Sequence, residues 1–160
     1  MVLMGTDAPR RIVRLNAVGY WRDADHPELP EPGDLAAPGW CAERMDRIAW
    51  YLRCGNPLPS SPRDSACRFR CGVPAEEIGN RDMTDGVWAW PEGLVHYVEK
   101  HEVRLPATLI SGMRANRWRV PDVDCRDVEV KFDYDFWIDW SLEWRRPWWK
   151  RLWQDWGRRR

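Results

Sequence analysis

Two cysteines separated by three residues, in Cys67-Arg68-Phe69-Arg70-Cys71, and two histidines separated by four, in His96-Tyr97-Val98-Glu99-Lys100-His101, form the most chemically suggestive set in the chain. Thiolates and imidazoles are the donors of structural zinc centres, and both separations fall in the range those centres use. A tight turn lets two sulfurs point at one centre, and one helix end can present two imidazoles. Cys67, Cys71, His96 and His101 are therefore the expected ligands of a structural zinc ion. Two other readings stay open here. The cysteines could be small buried hydrophobes with His101 a hydrogen-bonded core residue, or a thiol and an imidazole could form a reactive pair. Four protein donors would close a tetrahedral shell, which favours structure over catalysis.

The elements that must position these residues can be read around them. Asp85-Gly86 lies between Asp82-Met83-Thr84 and Val87-Trp88-Ala89-Trp90, and its tolerance of left-handed backbone suits a tight hairpin. Pro91 then sets a helix start, Glu92 suits the positive end of its dipole, and Leu94, Tyr97, Val98 and His101 share one face, which predicts a helix over 91–100. Thiol turn, hairpin and helix in that order make residues 67–101 a zinc-finger-like ββα unit. The 24 residues between Cys71 and His96 exceed the roughly 12 to 15 of ordinary fingers, so a loop over 73–79 is expected. His96 and His101 would point about 140° apart on an ideal helix, so the helix is expected to unwind near His101.

Elsewhere, alternation over 11–15 predicts a short strand, and four prolines between Tyr20 and Trp40 predict a surface loop. Cys41, Met45, Ile48, Ala49 and Leu52 keep helical spacing, with Gly55 as a candidate C′ residue, and Pro106 opens a second helix reaching Asn116 with Leu109, Ile110 and Met113 inward. Between 127 and 136, apolar and charged residues alternate strictly, the pattern of a half-buried antiparallel strand. Pro147 could open a last helix with Trp149, Leu152, Trp153 and Trp156 on one face. The expected architecture is a small single α+β domain over 1–160, with an antiparallel sheet, the ββα unit, and a basic, Trp-rich segment at 141–160.

The run Cys67-Arg-Phe-Arg-Cys-Gly72, then Met83-Thr-Asp-Gly-Val-Trp-Ala-Trp-Pro-Glu-Gly-Leu-Val-His-Tyr-Val98 and His101-Glu-Val-Arg-Leu-Pro106, resembles a family of small uncharacterised bacterial proteins. That family shares a cysteine pair, a Thr-Asp-Gly turn, a Trp-Pro-Glu-Gly-Leu segment and the paired histidines. The resemblance covers about residues 20 to 120. It implies that the motif acts as a unit and brings no activity with it.

Composition narrows the function classes. Lys and Arg (25) balance Asp and Glu (25), so net charge argues for no partner type, but the distribution is lopsided. Residues 122–143 hold eight acidic and two basic side chains, and 144–160 hold seven basic and one acidic. Thirteen tryptophans, against 3 Phe and 4 Tyr, favour recognition as much as packing. Five irregularly spaced cysteines argue against a secreted disulfide framework, and neither a signal peptide nor a membrane span is evident, so a cytoplasmic protein is expected. No Gly-rich phosphate loop, Gly-x-Ser-x-Gly elbow or His-Glu-x-x-His pair occurs, and turn or helix-start chemistry accounts for Asp82, Asp85 and Glu92.

The leading expectation is a non-enzymatic protein-binding module held by structural zinc, one form of which is an immunity protein that neutralises a toxin. Asp133 and Asp135 on the acidic strand and Trp148, Trp149 and Arg151 in the tail are the expected partner contacts. The rivals are a nucleic-acid-binding zinc protein, poorly served by a helix offering Glu92, Glu99 and Lys100 and no arginine, and a hydrolytic enzyme using a Cys/His/Asp site.

Overall fold

The computed structural model describes residues 10–63 and 65–145. Strand β1 (Arg11–Ala17) leads through the proline-rich loop, which holds one turn of helix, α1 (Pro32–Leu35), and a 3-10 turn to α2 (Met45–Arg53). A two-residue strand, β2 (Asn56–Pro57), precedes the cysteine turn, and a short helix, α3 (Ala75–Ile78), fills the long gap after it. Then come β3 (Asp82–Thr84), β4 (Trp88–Pro91), α4 (Leu94–His101) and α5 (Ala107–Ala115). Strand β5 (Val128–Asp133) and α6 (Asp135–Leu142) end the described chain. The fold is thus α+β, with the expected ββα unit formed by β3, β4 and α4.

The sheet runs in the order β2-β3-β4-β1-β5 and is mixed. Its β2-β3-β4 half is antiparallel, as expected, whereas β1 is parallel to both β4 and β5. The antiparallel pairing inferred for the strand at 127–136 is therefore corrected. Alternation reports a strand with one dry and one wet face, and an edge strand has that exposure whichever way its neighbour runs. That strand also ends early, at Asp133. Its Oδ1 accepts the amide N–H of Asp135 at 3.1 Å, opening α6 where alternation had extended the strand to Phe136.

Strand β4 shows how side-chain alternation divides the interior. Trp88 and Trp90 enter the main core with Leu52, Tyr97, Leu109 and Met113, while Ala89 joins a smaller cluster with Leu15 and Leu58. Trp90 is fully buried, and its Nε1–H donates to the Leu52 carbonyl at 3.1 Å, satisfying an acceptor in the last turn of α2. Trp137 on α6 is also fully buried and donates to the Tyr20 carbonyl at 2.9 Å, fastening the proline-rich loop.

Two local expectations change. Gly55 follows the C-cap Cys54, at the C′ position expected of it, but lacks the left-handed backbone usual there. Instead, a Cβ at Gly55 would lie 2.7 Å from Trp90 Cζ2 and 2.9 Å from Met83 Cβ, so glycine lets the end of α2 lie against the hairpin. Pro91 closes β4 and the helix begins at Leu94. Glu92 consequently lies outside the helix and receives the amide N–H groups of Asn80 and Arg81 and the Arg81 guanidinium.

Candidate metal centre

The cysteine turn closes when the Arg70 amide donates to the Cys67 carbonyl at 2.9 Å, and left-handed backbone at Arg70 (φ 52°) and Gly72 (φ 83°) turns the chain so that both sulfurs face α4. Cys67 is buried and Cys71 is exposed. On α4, helical structure persists through His101, and the expected unwinding near that residue comes directly after it. The chain leaves the helix at Glu102, which adopts left-handed φ 48° and closes a wide turn on the Tyr97 carbonyl. A wider turn holds more residues per revolution, which brings His101 round toward His96. The two imidazole centroids are 5.1 Å apart.

The four expected ligands are brought together. Cys67 Sγ faces His101 Nε2 at 3.3 Å, and Cys71 Sγ faces His96 Nε2 at 3.4 Å. Two independent sulfur–imidazole hydrogen bonds would not require the pairs to approach each other, yet all four donor atoms lie within 4.8 Å of one another. A tetrahedral ion with bonds of about 2.3 Å to sulfur and about 2.0 Å to nitrogen separates those ligands by about 3.6 Å. The donor set thus fits a single ion, and these residues could hold a metal.

The surroundings favour the ligand forms of these groups. Burial pushes the His96 imidazole below its ordinary pKa, with the neighbouring His101 adding to the effect, and burial lowers His101 likewise. Both rings are thereby held neutral, as metal binding requires. Phe69, at the tip of the cysteine turn, stacks on His101 with centroids 4.1 Å apart. The Tyr97 hydroxyl accepts the Arg68 amide at 3.0 Å and neighbours the Cys67 sulfur, linking turn and helix a second time.

The carboxylates near the motif have other roles. Asp85 caps the hairpin turn by accepting the amides of Val87 and Trp88 at 3.0 and 2.8 Å, and Tyr51 donates its hydroxyl to the second oxygen at 2.8 Å. Asp82 is not the turn residue expected from its position. It is fully buried and accepts the Tyr20 hydroxyl at 2.9 Å and Arg63 Nε at 3.2 Å. Tyr20 and Arg63 went unnoticed in the sequence, because each sits in an irregular loop where no periodicity marks an inward side chain.

Of the expected partner contacts, Asp133 is held internally, by Arg14 at 3.1 Å and by the Asp135 amide at 3.1 Å, and Asp135 is exposed in the first turn of α6. Trp148, Trp149 and Arg151, and the helix expected after Pro147, lie outside the described residues. Among the described residues, no helix is long and apolar enough to cross a membrane. Helix α4 gives little to a DNA groove, since Leu94, His96, Tyr97 and Val98 are buried and Glu99 pairs with Arg53 of α2. The chain matches no family model, none of the curated proteins and no solved structure.

Proposed function

We propose that this chain is a protein-binding domain whose fold is cross-linked by one structural zinc ion at Cys67, Cys71, His96 and His101. The observation that carries the reading is the mutual approach of two sulfurs and two imidazole nitrogens within 4.8 Å. Zinc is the metal that mixed thiolate and imidazole donors suit, and a four-donor protein shell leaves no position for a substrate or an activated water. The ion would fasten the cysteine turn to α4, and its binding free energy would count directly toward folding.

The recognition half is supported by α6. Asp135, Asp139 and Glu143 are exposed at intervals of four residues, so they share one helix face, and the adjoining Leu142 is 51% exposed. An acidic ridge beside an apolar side chain suits a basic protein surface, where complementary fields speed encounter and exclude wrong partners. A toxin-neutralising role is the concrete form of this reading, with the ridge covering the phosphate-binding groove of a basic nuclease. The same ridge repels nucleic acid itself.

Metal analysis of protein purified without added metal should return about one zinc per chain, with melting lowered by a chelator. Crosslinking in the cells that make the protein should capture a basic partner with wild type and lose it with a D135K/D139K/E143K variant that melts like wild type. Zinc far below one per chain removes the metal half of the proposal, and capture that survives charge reversal removes the ridge.

A further inference from the structure

We propose that the cleft between the Tyr20–Leu29 loop and the start of α4 binds a small planar ligand carrying a carboxylate or a phosphate group. This goes beyond the zinc staple and the acidic ridge, because it assigns a small-molecule site to residues that neither uses. The cleft encloses about 370 Å³, a volume typical of small-molecule sites. Tyr20, Trp21, Tyr97 and Tyr134 supply aromatic walls, and Leu29 and Ile78 supply apolar surface. Such rings offer faces on which a flat ligand can stack.

Basic side chains outnumber acidic ones in the lining of the cleft. Arg63, Arg68 and Arg81 line it against a single acid, Asp23, whose Oδ1 accepts the amides of Asp25 and His26 at 3.0 and 2.7 Å. All three guanidinium groups have an acidic partner: Arg81 holds Glu92 at 2.7 Å, Arg68 stands 3.7 Å from Glu31, and Arg63 meets Asp82 through Nε alone. Arg63 is the one prepared for a ligand. Its Nε is fixed 3.2 Å from the fully buried Asp82, which also takes the Tyr20 hydroxyl at 2.9 Å. Its guanidinium lies 5.0 Å from the Tyr20 ring centroid and 5.9 Å from that of Phe132.

A guanidinium carries five donors in a planar fork. With Nε committed to Asp82, the donors left for a ligand are on the terminal nitrogens. The Tyr134 hydroxyl interacts with the same guanidinium, and the Arg63 side chain keeps 40% of its surface exposed. Orientation by a buried carboxylate removes most of the entropy cost of aiming those donors, and paired N–H groups match a carboxylate or phosphate edge. Pinning the loop at 58–66 to the sheet would account for the bond to Asp82. It would not account for aromatic-walled space in front of the arginine.

The test is calorimetry on the full metal-loaded chain at low salt, with three probes: adenosine monophosphate, phenylacetate and inorganic phosphate. An aromatic anion should bind at submillimolar concentration and inorganic phosphate about ten-fold more weakly or worse. Which aromatic probe binds tighter assigns the anionic group as phosphate or carboxylate. Arg63→Gln should weaken binding by about ten-fold or more. Asn80→Trp, placed on the exposed rim of the cleft, should block binding while zinc content and melting stay at wild-type values. Failure of both aromatic probes to bind at millimolar concentration overturns the proposal, as does equal affinity in both variants, or inorganic phosphate binding as tightly as the aromatic probes. None of these outcomes touches the zinc reading, which metal content on the same samples decides separately.

Discussion

Around the hairpin and α4, polar groups are satisfied in two different ways. Asp82 and Asp85 are saturated by the protein: a tyrosine hydroxyl and an arginine on the first, and two backbone amides and a tyrosine hydroxyl on the second. Tyr51 is in turn held by Asn116 at 2.8 Å, so that network continues into the end of α5. Cys67, Cys71, His96 and His101 instead face one another, sulfur to imidazole nitrogen. A carboxylate surrounded by protein donors is a finished structural element. Four thiol and imidazole donors gathered on one point could hold an ion between them, which is how the two regions differ although both buttress the same hairpin.

The widest gap between the regions should come from removing one donor. Cys67→Ser should reduce zinc from about one per chain to nearly none and cost about 4 kcal/mol or more, a fall of roughly 10 °C in melting for a chain of this size. A chelator should do the same to wild type and add nothing to the variant. Metal content and melting left at wild-type values would place these four residues in the same class as Asp82 and Asp85, satisfied without an ion.

Asp82→Ala makes the complementary break. It leaves the Tyr20 hydroxyl and a partly buried guanidinium without their acceptor, which should cost about 3 kcal/mol in denaturant unfolding. Zinc content should not change, because no metal donor contacts Asp82. Burial, then the neighbouring carboxylate, holds Tyr20 well above its ordinary pKa of 10.0, so the unfolded chain releases that proton first and the cost of losing Asp82 should stay constant up to about pH 10 and shrink above it. Loss of zinc in this variant would show that the two regions fold as one cooperative unit.

The four-residue cluster was legible in the sequence because residue type and spacing are themselves the signal: two thiols and two imidazoles at those intervals match the donor pattern of a structural metal site. The hairpin was legible from Asp85-Gly86, and α2 and α5 from their apolar spacing. What escaped notice depends on pairing across the chain. The parallel neighbour of β5 leaves no mark on β5 itself, since an edge strand alternates in either sense. Gly55 looked like a helix terminator because glycine is usual there, but the reason for it is the Trp90 ring, distant in sequence. Asp82, Tyr20 and Arg63 come from a strand and two loops, and only the folded chain shows that they meet. Helix α6 was hidden because Phe136 continued an alternation that had already ended at Asp133, whose carboxylate takes the Asp135 amide.

Glu92 gives the smallest effect and sharpens the comparison at the surface. Its carboxyl is held below the ordinary value of 4.5, first by the Arg81 guanidinium and then by the amides of Arg81 and Asn80. A folded-state value below the unfolded one means that the unfolded chain takes up the proton more readily. The contribution is therefore fully present above about pH 4.5, declines as pH falls through the lowered folded value, and is gone below it. Wild type should melt slightly above Glu92→Gln at neutral pH, and the two curves should converge on acidification below pH 4.5. Because both partners are substantially exposed, 150 mM salt should narrow the neutral-pH gap. A gap that persisted unchanged below pH 3 would mean that Glu92 acts through its shape between Gly79 and Arg81 and not through its charge. That outcome would move it from the ionic periphery of the hairpin to the packed interior with Trp90.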